Sequence, residues 1–198
     1  NITITPPLLR KEVAEQEVFH GNHILVYILN AGYMPDIINW HKEHPETELH
    51  CFTDSKTVKG KWRFDDTLCF HSLDDRKFLH FMADAKALVT TAGFESVCEA
   101  MYFGKPVLMV PVKGHFEQWC NARDAAKAGA GIYADEFNLD VLLNYVPQYK
   151  NTSEEFTDWS KQTKHLMMQA FAETLHQPME AEEMSDGSMS FPFSPSFT

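Results

Sequence analysis

The sequence predicts an α/β fold: one parallel sheet with helices on both faces, in three layers. Two observations carry this. Strand-like and helix-like segments alternate from His23 to about Val146, which marks successive βα units. The strand-like runs, HILVYIL above all, are apolar throughout instead of alternating, as strands covered on both faces must be.

The elements follow in order. The chain opens on Asn1 and runs into TPPLLRKEV, whose prolines read as a connector over residues 1–22. A piece of a longer protein is the expectation. HILVYIL (His23–Leu29) is the first strand, broken by Asn30-Ala31-Gly32. Pro35 to His44 reads as a helix with Pro35 near its first turn. ELHCFT (Glu48–Thr53) is the second strand. Asp54 to Asp66 is polar and basic and reads as an irregular surface loop. TLCFH (Thr67–His71) is the third strand, and Ser72 with Asp75 suggests a capping box for a helix through Met82. KALVT (Lys86–Thr90) is the fourth strand. Glu95 to Phe103 is a helix closed by Gly104 and stopped by Pro106. VLMVP is the fifth strand, His115 to Ala128 a helix closed by Gly129, GIYA the sixth strand, and Leu139 to Val146 a short helix. Ser153 to His176 reads as one long helix capped by Thr152 and Glu155. It carries Phe156, Trp159, Leu166, Met167, Ala170, Phe171 and Leu175 on one face. Residues 177–198 hold no Lys or Arg and no periodicity. They read as a flexible tail, in which Phe191, Phe193 and Phe197 form a candidate docking motif.

Composition narrows the function. At 198 residues the chain can bury one sizeable core. Acidic residues outnumber basic ones by 28 to 17, which argues against nucleic acid or an anionic membrane surface as partner. No run approaches the ~20 apolar residues of a membrane span, and no basic-then-apolar leader opens the chain. Cys51, Cys69, Cys98 and Cys120 form no CxxC pair and read as reduced core residues of a cytoplasmic protein. His20/His23 and His41/His44 are spaced as HxxH, but zinc needs further ligands and no Cys/His cluster supplies them. His41 and His44 read as a solvated helix face, and no motif demands a metal.

Parallel sheets bind ligands at the carboxyl ends of their strands. Four loops lie there: Asn30-Ala31-Gly32-Tyr33, a possible phosphate loop; His71-Ser72-Leu73; Thr91-Ala92-Gly93-Phe94; and Val112 to Glu117. The third stands out. Gly93 permits close approach of a ligand to the backbone. The amides of Phe94, Glu95 and Ser96 would point out of a helix start, a ready anion site. Glu99 lies one turn further on and could accept both hydroxyls of a ribose. A plain scaffold fits the same residues, with Glu95 serving the helix dipole and Glu99 on a solvated face.

The combined pattern is more specific. Gly93 to Glu99 (GFESVCE), Gly104-Lys105-Pro106, Pro111, Glu117-Gln118, Asn121-Ala122, Gly129 and Gly131 together resemble the donor-binding half of GT-B glycosyltransferases. The likeness covers about Pro6 to Gly131. It extends to the bacterial peptidoglycan N-acetylglucosaminyltransferase, the plant glucosyltransferases and a microbial group with GGFES-type and FEQ-type motifs. It implies a Rossmann-like domain over residues 23–176, the C-terminal half of a GT-B fold. The whole enzyme would then move a sugar from a nucleotide-diphosphate donor, most commonly a uridine one, to an acceptor hydroxyl. Further implied are the diphosphate on the Phe94 to Ser96 amides, the ribose on Glu99, and the base on backbone at Ser72 and Leu73. The transferred sugar would meet Glu117 and Gln118, on a loop ordered by Asn121. The nucleotide-sugar is a substrate, and no cofactor is implied. The general base and acceptor site would lie in a missing N-terminal half of the same chain, so residues 1–198 alone would transfer nothing, and neither His71 nor His115 is assigned as base. Two departures stand out: Thr91 replaces a His found in plant members, and Glu95 stands where relatives carry Thr or Asn beside the phosphates. A nucleotide-sugar 2-epimerase and a non-enzymatic binding or regulatory module are the alternatives.

Overall fold

The computed structural model describes residues 4–28 and 31–176. Asn30 and the tail with its three phenylalanines lie outside the described residues. A seven-stranded sheet forms the middle layer, in the order β3-β4-β2-β1-β5-β6-β7. The strands are β1 Ile24–Tyr27, β2 Leu49–Thr53, β3 Lys61–Arg63, β4 Leu68–Ser72, β5 Ala87–Thr90, β6 Val107–Met109 and β7 Gly131–Tyr133. All neighbours pair parallel except the antiparallel β3–β4 hairpin. Without β3 the order is that of a doubly wound dinucleotide fold, and the reversal of direction falls between β1 and β5.

The helices are α1 Lys11–Ala14, α2 Met34–Glu43, α3 Asp75–Asp84, α4 Phe94–Tyr102, α5 Phe116–Lys127, α6 Leu139–Tyr145, α7 Ser153–Ser160 and α8 Thr163–His176. Side chains alternate along each strand, so each strand feeds two cores. Leu25, Phe52, Leu88, Val107 and Met109 join Phe78, Met82, Val97 and Phe156 of α3, α4 and α7. Ile24, Val26, Leu49, Phe70, Val89 and Leu108 join Ile37 of α2 and Leu139 and Leu142 of α6 on the other face. Continuous apolar strands are the result of this double covering.

Helix ends follow local chemistry. After α4, the amide of Gly104 bonds Met101 O and that of Lys105 bonds Ala100 O, with Gly104 at φ 67°. This double closure needs a left-handed residue, which glycine supplies. Gly129 and Ala130 close α5 in the same way.

Several expectations change. The segment Asp54–Asp66 is not wholly irregular: Lys61–Arg63 pairs with Cys69–His71 as β3, and Trp62 stacks on Phe70 at 5.1 Å. The cap of α3 is Asp74, whose carboxylate accepts from Lys77 N at 2.9 Å. Ser72 cannot serve, because it is the last residue of β4 and its amide bonds Gly60 O. The expected long helix breaks between α7 and α8. The Ser160 hydroxyl donates to Thr157 O, and that of Thr163 to Ser160 O and Pro7 O, local bonds that compete with a continuing helix. Thr152 makes no side-chain cap for α7; Asn151 Oδ1 accepts from Ser153 N instead. Phe171 and Leu175, expected on a packed stripe, are exposed. His41 is not solvated: it is 1% exposed, with Nε2 2.9 Å from Asp65 Oδ2.

Candidate functional site

A cleft of about 620 Å³ opens at the carboxyl ends of the strands, beside the β1/β5 reversal. Tyr27 of β1, Leu73 and Asp74 before α3, and Gly93, Phe94 and Glu95 at the start of α4 line it. Leu8, Leu9 and Arg10 of the N-terminal segment form its far side.

The β5–α4 turn is shaped for contact with something outside the chain. Ala92 sits at φ 63°, a left-handed conformation that costs an alanine on the order of 1 kcal/mol. Asn121 Nδ2 donates to Ala92 O at 3.3 Å and holds it there. Gly93 is extended, at φ −63° and ψ 132°, so its backbone does not require glycine. A Cβ on Gly93 would approach nothing closer than Ser96 Oγ at 3.8 Å, so packing does not require it either. The Ser96 hydroxyl donates to Gly93 O and therefore does not cap the helix. Among the described residues, the amides of Phe94, Glu95 and Ser96 have no acceptor within the chain. Three donors and the positive end of α4 thus face open space.

One turn further on, Glu99 is 3% exposed. Both of its oxygens accept from Arg10: Nε at 2.6 Å and Nη2 at 3.0 Å. Burial pushes the Glu99 carboxyl above its usual range and Arg10 draws it back. The hydrogen bond to Glu99 holds the guanidinium above its own. The two-pronged geometry is that of an ion pair, with both groups charged at neutral pH. A carboxylate has about four acceptor positions, so this pairing leaves Glu99 able to take hydroxyls. A buried ion pair excludes the solvated-face reading of Glu99.

The remaining expected residues divide. Leu73 and Glu117 line the cleft, exposed, as does Glu95. Ser72 does not: its amide and its hydroxyl both bond Gly60 O, so that amide is not free for a ligand. Gln118 and Asn121 support the walls from behind, Gln118 Oε1 accepting from Val112 N at 2.9 Å. Ala31 and Gly32 begin a single 3-10 turn leading into α2. Sequence reasoning missed Arg10. The clue lay in its partner: an acid amid SVCEAM, on a helix so apolar that its face must be buried, requires a counter-charge. Electrostatically the cleft is acidic. Asp74, Asp75, Glu95, Glu99 and Glu117 line it against Arg10, the one cation among its described lining residues.

The family model described as glycosyl transferase family 1 matches residues 1–149. A putative UDP-glucuronosyltransferase of Caenorhabditis elegans, ugt-48, is 41% identical over 54 residues, 27% of this chain and 10% of that protein. Among solved structures, the kitacinnamycin glycotransferase superposes with a TM-score of 0.55 at 15% identity, over 86% of this chain and 48% of that one. The spinosyn rhamnosyltransferase SpnG, in its complex with thymidine diphosphate, gives 0.51 at 15% identity over 84% and 48%. These likenesses show a Rossmann-like GT-B fold, and the chain spans about half the length of the solved structures it matches.

Proposed function

The chain belongs to glycosyl transferase family 1, and from this membership we propose that its cleft binds the nucleotide-diphosphate sugar from which the whole protein transfers a sugar to an acceptor hydroxyl. The observation that carries this reading is the start of α4: a glycine that neither backbone nor packing requires, followed by three free amides. The diphosphate lies on those amides. They stabilise the charge that develops on the leaving group as the sugar departs, the preorganised form of electrostatic catalysis. Glu99, locked in one rotamer by Arg10, accepts the ribose hydroxyls. Leu73 and Tyr27 offer apolar surface for the base, and Glu117 stands beyond the diphosphate for hydroxyls of the sugar. Thymidine diphosphate in SpnG supports a nucleoside diphosphate as the group recognised. Family membership favours transfer over 2-epimerisation and over a purely regulatory module.

Titration calorimetry of the chain with uridine and thymidine diphosphates and their sugars tests this. Saturable binding that is lost in Glu99→Ala is the expected result. A folded chain that binds none of them would overturn it.

A further inference from the structure

A second constellation lies on the sheet face beneath α3, next to the cleft: His71 stacks at 4.9 Å on Phe52, which lines it. His50 of β2 stands in register opposite Cys69 of β4, and His71 follows Cys69 by two residues. The period of a strand places all three side chains on one face, and cross-strand partners bring their Cβ atoms within about 5 Å. One ligand-type atom from each of the three lies within 4.8 Å of the others. His50 Nδ1 is 2.9 Å from His71 Nε2. Two nitrogens on one tetrahedral zinc, each at about 2.0–2.1 Å, stand roughly 3.3 Å apart. The two imidazoles therefore need to part by only a few tenths of an ångström, and Cys69 Sγ, within 4.8 Å of them, has to close to the roughly 3.6 Å that a Zn–S bond of about 2.3 Å sets. Behind it, His50 Nε2 is 3.1 Å from Glu48 Oε1, the carboxylate–imidazole arrangement that fixes the tautomer and ring of a metal-bound histidine. Cys69 and His71 are buried and His50 is partly open, which gives an ion a path in and leaves a fourth position for water.

We propose that His50, Cys69 and His71 form a zinc site that ties β2 to β4, with Glu48 orienting His50. Binding releases the thiol proton of Cys69 to solvent, and the thiolate then donates its lone pair to the ion. Lys77 opposes the ion. Its Nζ lies 3.0 Å from His71 Nδ1, and on metal binding that nitrogen must carry a proton. Lys77, in the first turn of α3, has to swing towards solvent. His23, packed edge-on to His50 at 5.1 Å, and the cations Lys61 and Arg63 also face the cluster. Affinity is accordingly set by a balance that single substitutions move in opposite directions.

The test is a titration of the chelator-treated chain with zinc, and with cobalt(II) as a spectroscopic probe. The native chain is expected to show a thiolate-to-cobalt charge-transfer band and a zinc-dependent rise in Tm, and Cys69→Ser to lose both. Glu48→Gln should weaken zinc binding about 10–100-fold, the usual cost of losing such a partner. Lys77→Met should tighten it by roughly tenfold or more, because a like charge leaves the site. Should Cys69→Ser not fold, His50→Gln, at the partly open ligand, carries the same expectation of lost binding. Failure of zinc to bind overturns the proposal. So does cobalt bound without the thiolate band, or an affinity unchanged in His50→Gln.

Discussion

At Gly93 the absence of a side chain is unexplained by the fold, so it is assigned to what the fold holds. Gly93→Ala is expected to alter stability by less than about 1 kcal/mol. The same change should weaken nucleoside-diphosphate binding by roughly tenfold or more, the effect of a methyl group forced into a filled contact. Denaturant unfolding and calorimetry on the same sample separate the two effects. Glu95 gives the opposite case. Its exposed carboxylate stands beside the free amides, and close to a diphosphate it costs about 1 kcal/mol. Glu95→Gln should therefore bind uridine diphosphate about fivefold more tightly; unchanged affinity would mean that the side chain turns away from the phosphates. Lys105 belongs to the scaffold. It is buried, donates to Phe19 O, and burial lowers its pKa from 10.5 to about 8. Between these two values the unfolded chain holds the extra proton. Stability therefore rises with pH across that window, and the burial penalty is complete below about pH 8. From pH 7.5 to 9.5 the native chain should gain about 2 kcal/mol relative to Lys105→Met, measured by urea unfolding.

At the scale of elements, close approach of strands decides what is tolerated. Gly131 in β7 pairs with Val107 in β6, and a Cβ there would lie 1.9 Å from Val107 O. Gly131→Ala should destabilise by about 3 kcal/mol, visible as a lower Tm with fold topology intact. The parallel strands and their helices were legible in the sequence because their signal is local: apolar runs, glycine stops and polar turns. The start of α4 was legible for the same reason, since helix amides need no partner to be located. What was not legible is non-local. β3 is a strand only because Phe70 and β4 lie beside Trp62, and its own residues are polar and aromatic. Arg10 and Glu99 are 89 residues apart. The apolar helix around Glu99 demanded a counter-ion but could not say which. Ser72 and Asp74 are both good caps, and only sheet pairing removes Ser72 from the choice.

Over the whole molecule, residues 4–22 are stitched to the domain more tightly than their prolines suggest. Val13 is 1% exposed within the core. Phe19 and Gly21 amides bond Ala83 O and Asp84 O, and Pro7 O accepts from Thr163. Arg10 is the electrostatic stitch. Arg10→Ala would strand the Glu99 carboxylate, whose side chain is 4% exposed. The expected loss is about 2–3 kcal/mol, less than for a fully buried pair because Arg10 is itself partly open. Adding Glu99→Gln to Arg10→Ala should recover part of that loss in denaturant unfolding, since it removes the uncompensated charge.

The β3 edge has a further consequence for how copies of the chain behave together. A sheet of seven strands offers two rims of unpaired backbone, and such rims invite another chain to add on. On this side the rim is three residues long, with Lys61 and Arg63 flanking Trp62, all exposed. An incoming chain would find few amides to pair with and two cations to desolvate. The hairpin thereby ends the sheet on a short, charged rim that disfavours the addition of a further strand there.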